Sequence, residues 1–214
     1  MKITLKLATS LDGRIATAAG ESRWITGGAA REEVHKLRAV HSGVLVGIET
    51  VIADDPELTV RLGGYVGFQP WRIVMDSRQR IPLTAKLVTT ARRLRTLVLA
   101  LETPNNRLTD AGVEVMEVAS ADGRVDPEGA VRVLASLEHF HSLLIEGGGQ
   151  VAGSFLAAGL VDAVEWFRAP IVLGDEGRPA IGAFVLKDLA SAPRFRRVSV
   201  EPVGEDLWER YERL

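Results

Sequence analysis

Two arginines, a pair of aspartates and a run of glycines carry most of the chemistry this sequence can offer. Arg38 lies beside the apolar face of a helical pattern, and Arg61 closes the segment TVIADDPELTVR. Two guanidiniums converging on one pocket would clamp a phosphate ester; two solvated surface arginines are the other reading, and spacing does not choose. Asp55 precedes Pro56, which biases it to extended backbone, so Asp54 and Asp55 point in different directions and only one faces a site. A purely structural Asp-Asp-Pro turn is the alternative. In SLLIEGGGQVAGSFLAAGL an apolar strand, three glycines and a helix start follow one another. Free N–H groups and the positive end of the helix dipole can hold a diphosphate there. The spacing is neither the Rossmann fingerprint nor the phosphate-binding loop, so a tight strand-to-helix turn stays open. Glu146 ends that strand, at the edge where open α/β sheets place ligands. It can accept hydrogen bonds from a substrate, or stabilise the helix that follows.

In ESRWIT, before the first helical pattern, Trp24 can cover a planar ligand or fill the core, and Thr26 can cap the helix. DSRQR follows an apolar strand, and its Ser77 and Arg78 can recognise the extra phosphate that separates NADPH from NADH. The run ARRLR reads as a solvated face. With no cysteine among 214 residues, the chain builds no disulfide, thiolate metal site or cysteine nucleophile. His35, His139 and His141 lack paired ligand spacing and read as surface or core histidines, so no metal is expected.

Strand-like runs must position these groups: ITLKLA, GVLVGI, RIVMD, TLVLA, VEVMEV and SLLIE. Helical patterns alternate with them, one placing Ala30, Val34, Leu37 and His41 on a shared face and one running from Gly149 to Leu160. The alternation predicts one α/β domain over residues 1–214 with a largely parallel sheet. In the final third, AVEWFRAPIVLG and RRVSVEP predict a hairpin-like antiparallel edge, and GDEGRPAIG a loop. A net charge of -2 and pI near 6.1 give no general attraction to nucleic acid or anionic lipid. The N-terminus reads as a strand, no window approaches a membrane span, and a cytoplasmic location is expected.

Taken together, LKLATSLDGRIA, GESRWIT, LRAVHSGVLVGIETVIADDPELTVR, RIVMDS, LLIEGGGQVAGSFL and LVDAVEWFRAPIVLG resemble, in order, the reductase domain of the bifunctional riboflavin-biosynthesis deaminase/reductases. The resemblance implies a dihydrofolate-reductase-like α/β fold, with a central mixed, mostly parallel sheet flanked by helices, assembled as a homodimer. It implies NADPH as cofactor and 5-amino-6-(5-phosphoribosylamino)uracil, or its still-aminated precursor, as substrate. Carried over, the cofactor contacts are Ala8, Trp24, Thr50, Asp54, Ser77, Gly148, Gly149, Gln150, Val151, Ala152, Gly153 and Ser154. The substrate contacts are Ser22, Arg38, Leu58, Arg61 and Glu146, with Lys6 near the pyrimidine; Asp54 and Glu146 are the catalytic candidates. A zinc deaminase needs His and two Cys as ligands, so that activity is expected on a separate chain or a missing N-terminal domain. A reductase of a pterin-like heterocycle and a non-catalytic nucleotide-binding module are the competing readings.

Overall fold

The computed structural model describes residues 1–22 and 25–214. In chain order the elements are β1 (Lys2–Thr9), β2 (Arg14–Ala16), α1 (Gly28–Ala39), β3 (Gly43–Gly47), α2 (Ile48–Asp54), β4 (Trp71–Met75) and α3 (Lys86–Thr89). There follow β5 (Thr96–Ala100), α4 (Asn106–Asp110), β6 (Glu114–Glu117), β7 (Ser120–Ala121), β8 (Arg124–Val125), α5 (Pro127–Ala135) and β9 (Ser142–Gly147). The last are α6 (Gly149–Ala157), β10 (Ala163–Arg168), β11 (Arg178–Pro179), β12 (Phe195–Val203) and β13 (Asp206–Arg213). They form two compact units, one of Met1 with His35–Leu144 and one of Lys2–Val34 with Ile145–Leu214.

In the first unit β3, β4, β5 and β6 pair in parallel, with short helices in the connections. β3 and β5 are buried at every position, which is why GVLVG and TLVLA read as unbroken apolar runs rather than alternating ones. Gly43 leaves room for the Phe140 ring: a Cβ there would lie 2.6 Å from it and force the ring to shift. The start of α5 is written locally: Asp126 accepts from Glu128 N and Gly129 N, and Pro127 occupies the first turn.

In the second unit β1 is parallel to β10, β10 antiparallel to β13, and β13 antiparallel to β12. The expected antiparallel edge is therefore present, with DLWERYER as the middle strand between the two predicted extended segments. GDEGRPAIG is a loop, as expected, apart from the two residues of β11, which pair with β2. Asp12 ties the turn after β1 to the loop after β10: its carboxylate accepts from Ser10 Oγ (2.5 Å), Leu173 N (3.1 Å) and Gly174 N (2.7 Å). The Ser10 hydroxyl leads in lowering its pKa from 3.8 to about 2. A depressed acid favours the fold above its unfolded pKa and ceases to do so as pH falls through the folded value. NMR titration of the Asp12 carboxyl carbon should therefore give a midpoint near 2 rather than 3.8.

Candidate functional site

In the first unit the two arginines meet at one residue. Arg38, near the end of α1, donates from Nη1 to the Thr59 carbonyl at 2.9 Å. Arg61 Nη1 lies 3.2 Å from Thr59 Oγ1 and 3.3 Å from Glu57 Oε2. Residues 58–60 are buried, Leu58 in a left-handed conformation with φ 54°, and Gln69 fixes Val60 by accepting from its N–H (2.7 Å) and donating to its carbonyl (3.2 Å). Thr59, on a buried segment tied by Gln69, thus receives both guanidiniums, Arg38 on its carbonyl and Arg61 on its hydroxyl.

The aspartate pair differs from expectation. Asp54 is the last residue of α2, and Asp55 is its left-handed C-cap (φ 41°, ψ 59°), not extended. The proline after it disfavours right-handed helix, and Asp is among the few residues that tolerate the left-handed region. Asp55 Oδ1 accepts from Lys86 N at 2.9 Å and so braces α3. Asp54 is exposed and Thr50 half-buried on α2, which directly follows the C-terminal end of β3. Ser77 follows β4 and its hydroxyl accepts from Val125 N at 3.1 Å.

In the second unit Lys6 and Ala8 share one face of β1, both half-buried. Lys6 Nζ is 3.8 Å from Glu146 Oε2, with side chains only 13% and 6% exposed. The same face continues in register to Glu165 and Phe167 on β10 and to Trp208 and Arg210 on β13. Glu165 accepts from Trp208 Nε1 at 2.7 Å, lies 3.3 Å from Arg210 Nε, and its pKa is raised by burial. The sequence does not reveal this network, because alternation along EWFR and LWERYE does not show which strands lie side by side. Ser22 is half-buried; Trp24 lies outside the described residues. The carboxylate at the start of α1 comes from Asp206, buried at the head of β13, which accepts from Gly27 N at 2.7 Å.

The glycine run departs from β9 as expected. Gly148 has φ 88° and ψ 112°, a conformation side chains rarely adopt. Gly149 and Gly153 are glycines for another reason: the backbone of 179–182 crosses α6 there, with Gly182 N donating to Gly149 O at 2.6 Å. Ala152 N is bonded to Gly148 O, so the amides of Gly149, Gln150 and Val151 are the helix's first N–H groups, which no intrahelical acceptor serves. Val151, Ala152 and Gly153 are buried, Gln150 is exposed, and Ser154 Oγ bonds back to Val151 O. Among the described residues no group of His, Asp and Glu is arranged to hold a metal, and no helix is long and apolar enough to cross a membrane.

The family model for the RibD C-terminal domain matches residues 1–208. The chain belongs to that family. The riboflavin biosynthesis protein RibD of Actinobacillus pleuropneumoniae is 35% identical over 209 residues, covering 96% of this chain and 55% of that protein. Acinetobacter baumannii RibD superposes with a TM-score of 0.87 at 34% identity, over all of this chain and 58% of that one. A deaminase/5-amino-6-(5-phosphoribosylamino)uracil reductase from Thermotoga maritima does so at 0.81 and 29%, over 56% of its length. The chain thus spans about half the length of the curated relatives it matches. As a RibD C-terminal domain it has the dihydrofolate-reductase-like architecture, a mixed, mostly parallel sheet flanked by helices.

Proposed function

We propose that this chain is the NADPH-dependent reductase that converts the ribosyl group of 5-amino-6-(5-phosphoribosylamino)uracil to the ribitylamino group in riboflavin biosynthesis. The observation that carries the reading is the meeting of Arg38 and Arg61 at Thr59, a clamp suited to the ester at the end of such a sugar. The family of reductases to which the chain is similar supports the reaction class.

The second unit fits a dinucleotide. Gly148 turns the backbone, and the first amides of nine-residue α6 present a positive end to a diphosphate. Residues 148–154, Ala8, Trp24, Thr50, Asp54 and Ser77 would hold the cofactor, whose chemistry is hydride donation to the former anomeric carbon of the opened sugar. Arg38 and Arg61 hold the phosphate and turn remote binding energy into orientation of the reacting end. Ser22 and Leu58 line the substrate. Lys6 and Glu146 orient the pyrimidine, the ammonium facing a ring carbonyl, which favours the deaminated form. Asp54 bonds the sugar hydroxyls and steadies positive charge on the imine formed when the ring opens.

The family model spans both compact units, which supports one reductase domain. We further read the chain as a cytoplasmic homodimer, with deamination performed by a separate chain or an N-terminal domain such as the longer relatives have room for.

The test is loss of the reduced nicotinamide's near-ultraviolet absorbance with the deaminated and the aminated pyrimidine offered separately. Oxidation with the first and not the second is expected; oxidation with neither sinks the reading. Asp54→Asn should lower kcat by roughly 10²-fold and weaken NADPH binding by much less than that. Unchanged turnover would remove Asp54 from the chemistry.

A further inference from the structure

His35 stands one turn before Arg38 on α1, and its Nδ1 meets the same segment. It lies 3.1 Å from the Thr59 carbonyl and 3.2 Å from Arg61 N. One ring nitrogen cannot donate to the first and accept from the second. The Thr59 carbonyl already receives the Arg38 guanidinium at 2.9 Å, whereas the Arg61 amide can only donate. The assignment that serves every group puts the Arg61 N–H on the lone pair of Nδ1 and the imidazole proton on Nε2. The opposite tautomer points two N–H bonds at each other.

We infer that His35 is a positioning residue of the anion clamp, which holds the main chain of Arg61 through Nδ1 so that its guanidinium stands beside that of Arg38. The inference rests on the reading of these arginines as phosphate ligands. Arg61 is exposed, and its side-chain bonds to Thr59 Oγ1 and Glu57 Oε2 lie on the same short segment. The backbone bond to His35 joins that segment to α1 and hence to the other guanidinium.

Calorimetric titration with ribose 5-phosphate tests this without turnover. Wild-type protein should bind it, and His35→Ala should bind roughly three- to tenfold more weakly, the worth of one ordering hydrogen bond. His35→Asn, whose Oδ1 falls near the place of Nδ1, should return to within about twofold of wild type, and NADPH affinity should hold in all three. Wild-type affinity in the Ala variant, equal loss in Ala and Asn, or no binding by the wild type would each overturn the inference. Should the Ala variant not fold, the imidazole ¹⁵N spectrum of the wild type decides: an unprotonated Nδ1 supports the assignment, a protonated one refutes it. Failure of the reductase reading is seen separately, as absence of NADPH oxidation in a protein that still binds ribose 5-phosphate.

Discussion

Replacing Arg38 and Arg61 together by Met raises the KM for the phosphorylated pyrimidine by about 10²- to 10³-fold and leaves NADPH affinity nearly unchanged. Each charge-assisted hydrogen bond to a phosphate contributes about 1.5–3 kcal/mol. The lower end suits Arg61, whose side chain is 53% exposed and screened by solvent. The two act on one ligand group, so their losses add incompletely. Met keeps most of the apolar stem and removes the charge, which limits damage to packing. The deciding comparison is the dephosphorylated substrate: its KM should hardly respond. An equal rise for both substrates would mean that the arginines support the fold and not the ester.

Gly149→Ala should be severely destabilising, an expectation that needs no ligand. The new Cβ would lie 2.5 Å from the Pro179 carbonyl oxygen and 3.4 Å from Ala180 O and Gly182 N. All three are backbone atoms, so no side chain can swing aside, and either α6 or residues 179–182 must move. Overpacking of this kind costs about 1–3 kcal/mol, or a fall in Tm of roughly 2–12 °C in a chain of this size. Displacing the first turn of α6 should also weaken NADPH binding by more than about tenfold, if its amides hold the diphosphate. Gly63→Ala is the control: a Cβ there meets nothing within 4 Å, and neither melting nor binding should change.

The parts that could be read from residues alone are those whose partners are close in sequence or wholly apolar. Buried parallel strands such as Val44–Val46 and Leu97–Leu99 announce themselves, because no polar side chain is tolerated on either face. DLWERYER did not, since its buried glutamate, Glu209, is paired with an arginine on another strand. Glu209 pairs with Arg168 and Tyr211, and Trp208 bonds to Glu165; a pattern of alternation cannot show such pairings. The short α2 was hidden by the Asp-Asp-Pro signal at its end, and the left-handed Asp55 follows from a capping bond to Val51 O that spacing does not reveal.

The candidate site divides in the same way. Arg38 and Arg61 were visible as residue types, yet their meeting depends on Thr59, buried between Leu58 and Val60 and unremarkable in sequence. His35 was weighed only as a metal ligand, and the question that mattered was which backbone amide its ring could receive. Gly149 and Gly153 suggested a ligand's approach, whereas the chain itself, at residues 179–182, comes close to them.

The bond from Gly27 to Asp206 has a consequence for how the molecule is made. The N–H groups at the start of α1 wait for a carboxylate 179 positions downstream, and β1 waits similarly for β10. During synthesis, the helix that carries both His35 and Arg38 can acquire its finished beginning only once Asp206 has left the ribosome. Maturation should therefore be late and abrupt, and nascent chains halted before Asp206 should remain sensitive to protease around Gly27.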